Sequence, residues 1–362
     1  MMYNNRMKLT LKIKLLPSIS QQQSLLETLK IANAACNAIS ITAWDSQIFN
    51  QYKLHQLCYH FIKQQFNLSA QIVVRAIAKV ADSYKAGDEL QRKFKSLGSI
   101  PYDTRILSYK TDTISIWTTT GREKIPFVCH RPDWIPYIKG ESDLFYSKGK
   151  FFLLQTVEVP EEITQDIEQF LGVDFGVVDI VALSTGETVS SKWINQYRLK
   201  RAKIRSSIQR KGTRSSRKLL KRLSNRERAT ATLINHTISK RIVEKAKTAH
   251  LGIAIENLKG IRKAVKVRKH QRGLRHSWSF DQLRQFLEYK AKLHGVKLVA
   301  VNPAYTSQLC SACGVIAKRK GKIFTCKACG NLMDADINAA INIATRGHAV
   351  THVKKSINID IK

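Results

Sequence analysis

The chain has 362 residues, 43% of them apolar, enough for two or more globular cores and too many for a disordered chain. Its 61 Lys and Arg stand against 27 Asp and Glu, a formal net charge of +34. A compact body so charged repels itself unless a polyanion neutralises it, so the expected partner is a nucleic acid, bound by an enzyme or by a ribosomal or chromatin protein. The longest apolar runs, such as Ile253–Ile255, fall far short of the roughly 20 residues a membrane span needs, and the polar, basic start has no signal-peptide core. No membrane partner is expected. A cytoplasmic, nucleoid-associated location is expected, in which Cys36, Cys58 and Cys129 are free or buried thiols.

In chain order, residues 7–15 alternate Leu9, Leu11, Ile13 and Leu15 with Lys8, Thr10, Lys12 and Lys14, the pattern of a half-buried strand. Pro17 ends it. Ser20 with Gln23 reads as a capping box opening a helix that runs to about Ala43. Helical spacing recurs over 52–65 and 69–86, where Ser69 can cap and Ile72, Val73, Ile77 and Val80 share one side. From about 105 to 160 the pattern becomes short strands. Gly121 marks one turn and Lys148-Gly149 the turn of a hairpin between 143–147 and 150–159. This half therefore reads as a β module interrupted by a helical insert, with the first strand pairing across the insert.

A new pattern starts near Phe170. Leu171–Asp174 reads as a buried strand running into Phe175-Gly176, with Ile180–Leu183 as its neighbour. Residues 194–250 are one long helix-forming stretch whose opening, Arg198 to Arg228, holds 14 Lys or Arg and only Glu227 as an acid. A strand at 250–255 precedes a second basic segment, 259–275, with eight Lys or Arg and no acid. An amphipathic helix over 279–294, a short strand over 296–301, a Cys-rich insert and a helix over Asp336–Thr345 follow; the tail 346–362 shows no clear element. Residues 1–170 carry 21 basic and 16 acidic side chains, residues 171–362 carry 40 and 11, so the grip on a phosphate backbone lies in the second half.

Cys310-Ser-Ala-Cys313 and Cys326-Lys-Ala-Cys329 form CxxC-x12-CxxC. Zinc takes four thiolates in a tetrahedron, each CxxC turn presents two, and Gly314 and Gly330 follow the pairs where a knuckle turn bends. Four protein ligands leave no open position, so the expected zinc is structural; a redox dithiol is the alternative. Lys318, Arg319, Lys320 and Lys322 could let this ribbon touch nucleic acid.

Three acids stand out on the basic background: Asp174 in its strand, Glu256 ending the strand 251–255, and Asp336 opening a helix two residues after Asp334. Singly, each has a plain explanation: a turn, an ion pair, a helix cap. Together, carboxylates at strand ends and a helix start are how a nuclease gathers hard oxygen ligands around Mg2+ (or Mn2+) for phosphodiester hydrolysis.

These motifs resemble the TnpB (OrfB) proteins of insertion-sequence transposons, compact relatives of the type V CRISPR effectors. The resemblance rests on Gly172-Val-Asp-Phe-Gly176, Ile255-Glu-Asn-Leu258, Pro303-Ala-Tyr-Thr-Ser-Gln-Leu-Cys-Ser-Ala-Cys-Gly314, Cys326-Lys-Ala-Cys-Gly330 and Asp334-Ala-Asp-Ile-Asn-Ala-Ala-Ile-Asn-Ile343. It covers about 170–345 tightly and the first half loosely. It implies an α/β multidomain protein. Residues 1–167 would form a wedge β-barrel with an inserted helical recognition domain, helices about 18–100. Residues 168–362 would form a RuvC-like nuclease domain of the ribonuclease H fold, with a zinc ribbon inserted at about 304–333. It implies catalytic and Mg2+-holding roles for Asp174, Glu256 and Asp336, with Asp334 at the helix start, and a zinc held by Cys310, Cys313, Cys326 and Cys329. Ala335, where many relatives carry Arg, is a minor departure. The implied activity is RNA-guided DNA cleavage, with a guide RNA from the transposon end and double-stranded target DNA as partners. A catalytically silent RNA-guided regulator and a transposase acting in strand transfer are the competing readings.

Overall fold

A computed structural model describes residues 5–87, 90–164, 166–176, 179–257 and 280–359. The chain forms two compact units, Met1–Pro160 and Glu161–Lys362. The basic segment 259–275 and Leu258 lie outside the described residues.

In the first unit, β1 (Arg6–Leu15) buries Leu11, Ile13 and Leu15 and turns its lysines outward, as the alternation predicts. It lies between β7 (Lys150–Pro160) and β5 (Gly121–Cys129), antiparallel to both. With β2 (Ile100–Tyr102), β3 (Leu107–Tyr109), β4 (Thr113–Thr118) and β6 (Ile138–Ser147) they form a seven-stranded sheet in the order β2-β6-β7-β1-β5-β4-β3. The sheet curls over so that its two margins face each other across a mouth. Hydrogen bonds cross its mouth: Tyr102 on β2 donates to the Trp117 carbonyl of β4, and Tyr109 on β3 to Gln155 of β7.

Three helices, α1 (Ile19–Ser46), α2 (Gln51–Phe66) and α3 (Ala70–Tyr84), intervene between β1 and β2 and pack on one another. The capping box that starts α1 is Ser18 with Gln21, not Ser20 with Gln23. The helix begins directly after Pro17, and both reciprocal bonds of the box form there.

The second unit is built on a five-stranded sheet in the order β10-β9-β8-β11-β12. Its strands are β8 (Phe170–Asp174), β9 (Asp179–Leu183), β10 (Thr188–Ser190), β11 (Gly252–Glu256) and β12 (Leu298–Val301). β8, β11 and β12 are parallel, and β8-β9-β10 form an antiparallel meander. The long basic stretch is two helices, α4 (Lys192–Arg210) and α5 (Arg214–Thr248), broken where Thr213 caps the second through Ser216. On one face of the sheet, Leu171, Val173, Ile253 and Ile255 pack with Ile238, Ile242 and Ala246 of α5 and Leu283 and Leu287 of α6 (Phe280–Leu293).

The other face is covered by α7 (Ala335–Ile359), reached through a small sheet of β13 (Arg319–Lys320), β14 (Ile323–Thr325) and β15 (Leu332–Asp334). α7 comes so close to β8 that a methyl group at Gly172 would lie 1.9 Å from the Ala340 carbonyl oxygen. The tail expected to lack structure is helical as far as Ile359. Gly347 lies inside this helix as a close contact: a Cβ there would stand 2.7 Å from Cβ of Ala254. No helix among the described residues is long and apolar enough to cross a membrane.

Candidate active site and metal centre

Strand alternation fixes where two of the three acids point. Leu171 and Val173 face α5 and α6, so Gly172 and Asp174 face α7; on β11 the same rule sends Ala254 and Glu256 to the α7 side. The register pairs Ala254 with Gly172 and Ile255 with Val173, so Glu256 and Asp174 end neighbouring parallel strands at the same level. In open α/β sheets such carboxyl ends are where ligands bind. Asp336 arrives from the first turn of α7, where the Asp334 carboxylate caps the helix by accepting from the Asp336 and Ile337 amides at 2.9 and 3.2 Å.

Asp174 feels the charges of the other two acids. Burial, then the charges of Glu256 and Asp336, push the Asp174 carboxyl up to about 7, against the pull of Arg319 and the Phe175 amide. Burial also raises Glu256, opposed by a hydrogen bond from Thr306 and by the charge of Arg346. Burial raises Asp336 too; Arg319 counters it, and Asp334 and Asp179 add to it. The donor set, a buried Asp174 carboxylate that senses the charges of Glu256 and Asp336, has the hard oxygen chemistry that suits a divalent cation.

Two basic side chains of the Cys-rich insert reach this edge. Arg319 Nη1 lies 3.3 Å from Asp336 Oδ1, and Lys322 Nζ donates to Asp179 Oδ2, a carboxylate only 4% exposed. Sequence reading named Arg319 and Lys322 only as nucleic-acid contacts and passed over Asp179, Thr306, Asn338, Asn342 and Arg346. An available signal was Asn338 and Asn342, two amides four residues apart on an otherwise apolar helix face. Asn338 accepts from the Ser311 amide and donates to the Leu309 carbonyl; Asn342 donates to the Thr306 and Leu309 carbonyls.

The insert has its own site. The sulfurs of Cys310, Cys313, Cys326 and Cys329 all lie within 4.8 Å of one another, a set that could hold a metal ion. Cys310 and Cys326 are buried against Phe324 and Ala335, and the Asn331 amide donates to Cys310 Sγ at 3.5 Å. A closed set of four thiolates suits a structural zinc.

The basic run of 198–228 lies on the α4–α5 hairpin, most of it exposed; its one acid, Glu227, pairs with Arg205. A surface so charged is suited to a phosphate backbone.

Comparison with known proteins gives a consistent set of relatives. The family model described as Cas12f1-like, TNB domain matches residues 280–343. A CRISPR-associated endodeoxyribonuclease Cas12f2 of a Micrarchaeota archaeon is 32% identical over 231 residues, 57% of this chain and 42% of that one. The TnpB-like protein MJ0751 of Methanocaldococcus jannaschii is 33% identical over 175 residues, 46% of this chain and 63% of that one. The putative RNA-guided DNA endonuclease InsQ of Escherichia coli is 29% identical over 226 residues, 56% of each. The chain thus spans between two fifths and two thirds of the length of these relatives.

Proposed function

Since the chain is a TnpB-family relative of the type V effectors, we propose that it is an RNA-guided DNA endonuclease whose RuvC-like site is Asp174, Glu256 and Asp336. The observation that carries this reading is the register of β8 and β11, which sets Asp174 beside Glu256 on the face that α7 covers. A five-stranded sheet with a parallel half and an antiparallel meander, helices on both faces, supports a ribonuclease H fold. We assign 168–362 to that nuclease domain, with the ribbon at about 304–333 carrying one structural zinc. We assign 1–167 to a wedge barrel with the helical recognition insert.

Asp174, Glu256 and Asp336 would hold Mg2+ or Mn2+, which when bound supplies an activated water and offsets charge on the phosphodiester. The chain's own groups do the rest. Asp174, whose carboxyl burial and the charges of Glu256 and Asp336 push up to about 7, would hold the ion as its carboxylate. Arg319 and Lys322 place positive charge beside the acids, where a phosphate would meet it. The α4–α5 hairpin offers the exposed lysines and arginines that a guide RNA or RNA–DNA duplex backbone needs.

The RNA that copurifies with the protein identifies the guide; its transposon-end origin is part of this proposal. With that RNA, Mg2+ and matching DNA, the protein cuts, and Asp174→Ala reduces cutting to background while RNA retention stays unchanged. Cutting that survives the substitution removes Asp174 from the site. Matching DNA bound but left intact by the unsubstituted protein makes the chain a silent regulator instead.

A further inference from the structure

The loop that leads into the ribbon has a hydroxyl at its centre that touches one of the acids. Thr306 is 2% exposed, and its Oγ1 donates to Glu256 Oε1; the Pro303 carbonyl lies 3.0 Å from the same oxygen. One hydroxyl proton faces two acceptors, so the side chain is a donor that Glu256 shares with the backbone of its own turn. That turn is fixed from the far side. Asn342 Nδ2 donates to the Thr306 carbonyl at 2.9 Å and to the Leu309 carbonyl at 2.8 Å, and Asn338 Nδ2 donates to Leu309 O at 2.7 Å. Both asparagines sit on α7, within two turns of Asp336. A chain of contacts therefore runs from Asp336 along α7, through Asn342 to the Thr306 turn, and through the Thr306 hydroxyl to Glu256.

We propose that Thr306 is a positioning residue: its hydroxyl aims the Glu256 carboxylate, and Asn342 ties that aim to the helix carrying Asp336. Two acids separated by 80 residues of sequence are thereby held at a set spacing by the root of the ribbon. The proposal rests on the nuclease reading above. A carboxylate released from the one side-chain donor it has among the described residues explores other rotamers, and outer contacts of this kind are typically worth about ten- to hundredfold in metal affinity or activity.

The test compares Thr306→Val, which keeps the shape and removes the donor, with Thr306→Ser, which keeps the donor and removes a methyl. Each variant, purified with its RNA, is titrated with Mn2+ by the rise in unfolding temperature and then assayed for cleavage over a range of Mn2+. Zinc content and RNA retention equal to wild type verify the fold. Thr306→Val should raise the Mn2+ concentration for half-maximal stabilisation and for half-maximal cleavage together, about tenfold or more, with zinc and RNA unchanged. Thr306→Ser should restore both to within about threefold. A wild type that cuts, beside a Thr306→Val protein with unchanged Mn2+ midpoints, overturns the positioning role and leaves the nuclease reading standing. Loss of zinc or RNA in Thr306→Val, with Thr306→Ser equally impaired, also overturns it, because the side chain is then only packing. A wild type that neither cuts nor responds to Mn2+ sinks both readings at once.

Discussion

The unit from Glu161 onward contains two gatherings of potential anions, assembled by opposite means. The four cysteines come from two short turns 13 residues apart, so most of their geometry is decided within each CxxC, and their sulfurs lie within 4.8 Å of one another. The three acids come from β8, β11 and α7, spread over more than 160 residues, and only the folded sheet sets Asp174 within reach of the charges of the other two. Each acid is also restrained by a neighbour that is not an acid: Thr306 on Glu256, Arg319 on Asp336, the Phe175 amide on Asp174. A soft, closed site can be written into local sequence, whereas a hard, open one has to be suspended in tertiary structure and shielded from its own repulsion.

The largest expected break in that contrast is Cys326→Ala. It removes a ligand buried against Phe324 and Ala335, and apparent zinc affinities in small folded sites are worth roughly 10–16 kcal/mol. Zinc, read by elemental analysis, should fall from one per chain to none, and cleavage should fall with it because Arg319, Lys322 and the Thr306 turn all belong to the insert. Full cleavage without zinc would mean that the acids do not depend on the ribbon.

Gly172→Ala should do the reverse, at smaller scale. The added methyl meets the α7 backbone, which cannot swing aside as a side chain can. Overpacking of this kind costs about 1–3 kcal/mol, and the fixed backbone argues for the upper end. The unfolding temperature should drop and cleavage should fall while zinc stays bound. An unchanged protein would show that α7 is free to move away from β8 at this point.

The smallest effect sharpens the electrostatic side. A carboxyl whose folded pKa is raised from about 4 to about 7 binds its proton more tightly folded than unfolded. Stability therefore falls as pH rises through that window and levels off above it. In buffer with zinc but no Mg2+ or Mn2+, Asp174→Asn should melt higher than wild type at pH 8. The advantage should shrink by about 2–4 °C at pH 6, the change that ~1 kcal/mol makes in a unit of this size. An advantage independent of pH would assign the gain to packing instead of charge.

What could be read from sequence divides along the same line. β1, the hairpin of β6 and β7, and α3 were legible because one alternation or one helical stripe names both element and buried face. The four cysteines were legible because their spacing is the site. The three acids were legible only as isolated candidates until motif order joined them. Their restraints were not legible, because a hydroxyl at 306 and amides at 338 and 342 acquire meaning only when β11, the ribbon root and α7 meet. The end of α7 was misread for a related reason. The stretch 346–362 shows no clear element by local pattern, yet Gly347 is small enough to let the helix pass Ala254.

β1 lies in the middle of the first unit's sheet, paired along Arg6 to Lys14 with the stretch from Phe152 to Pro160. During synthesis the opening strand leaves the ribosome without its long-range partner, and at ~5–20 residues per second it waits on the order of ten seconds or more. The three helices between them emerge early and are free to pack on one another first. The sheet is complete only when β7 appears, so a nascent chain halted before residue 150 presents an unpaired, lysine-studded edge, one that its own charge keeps from joining a neighbour.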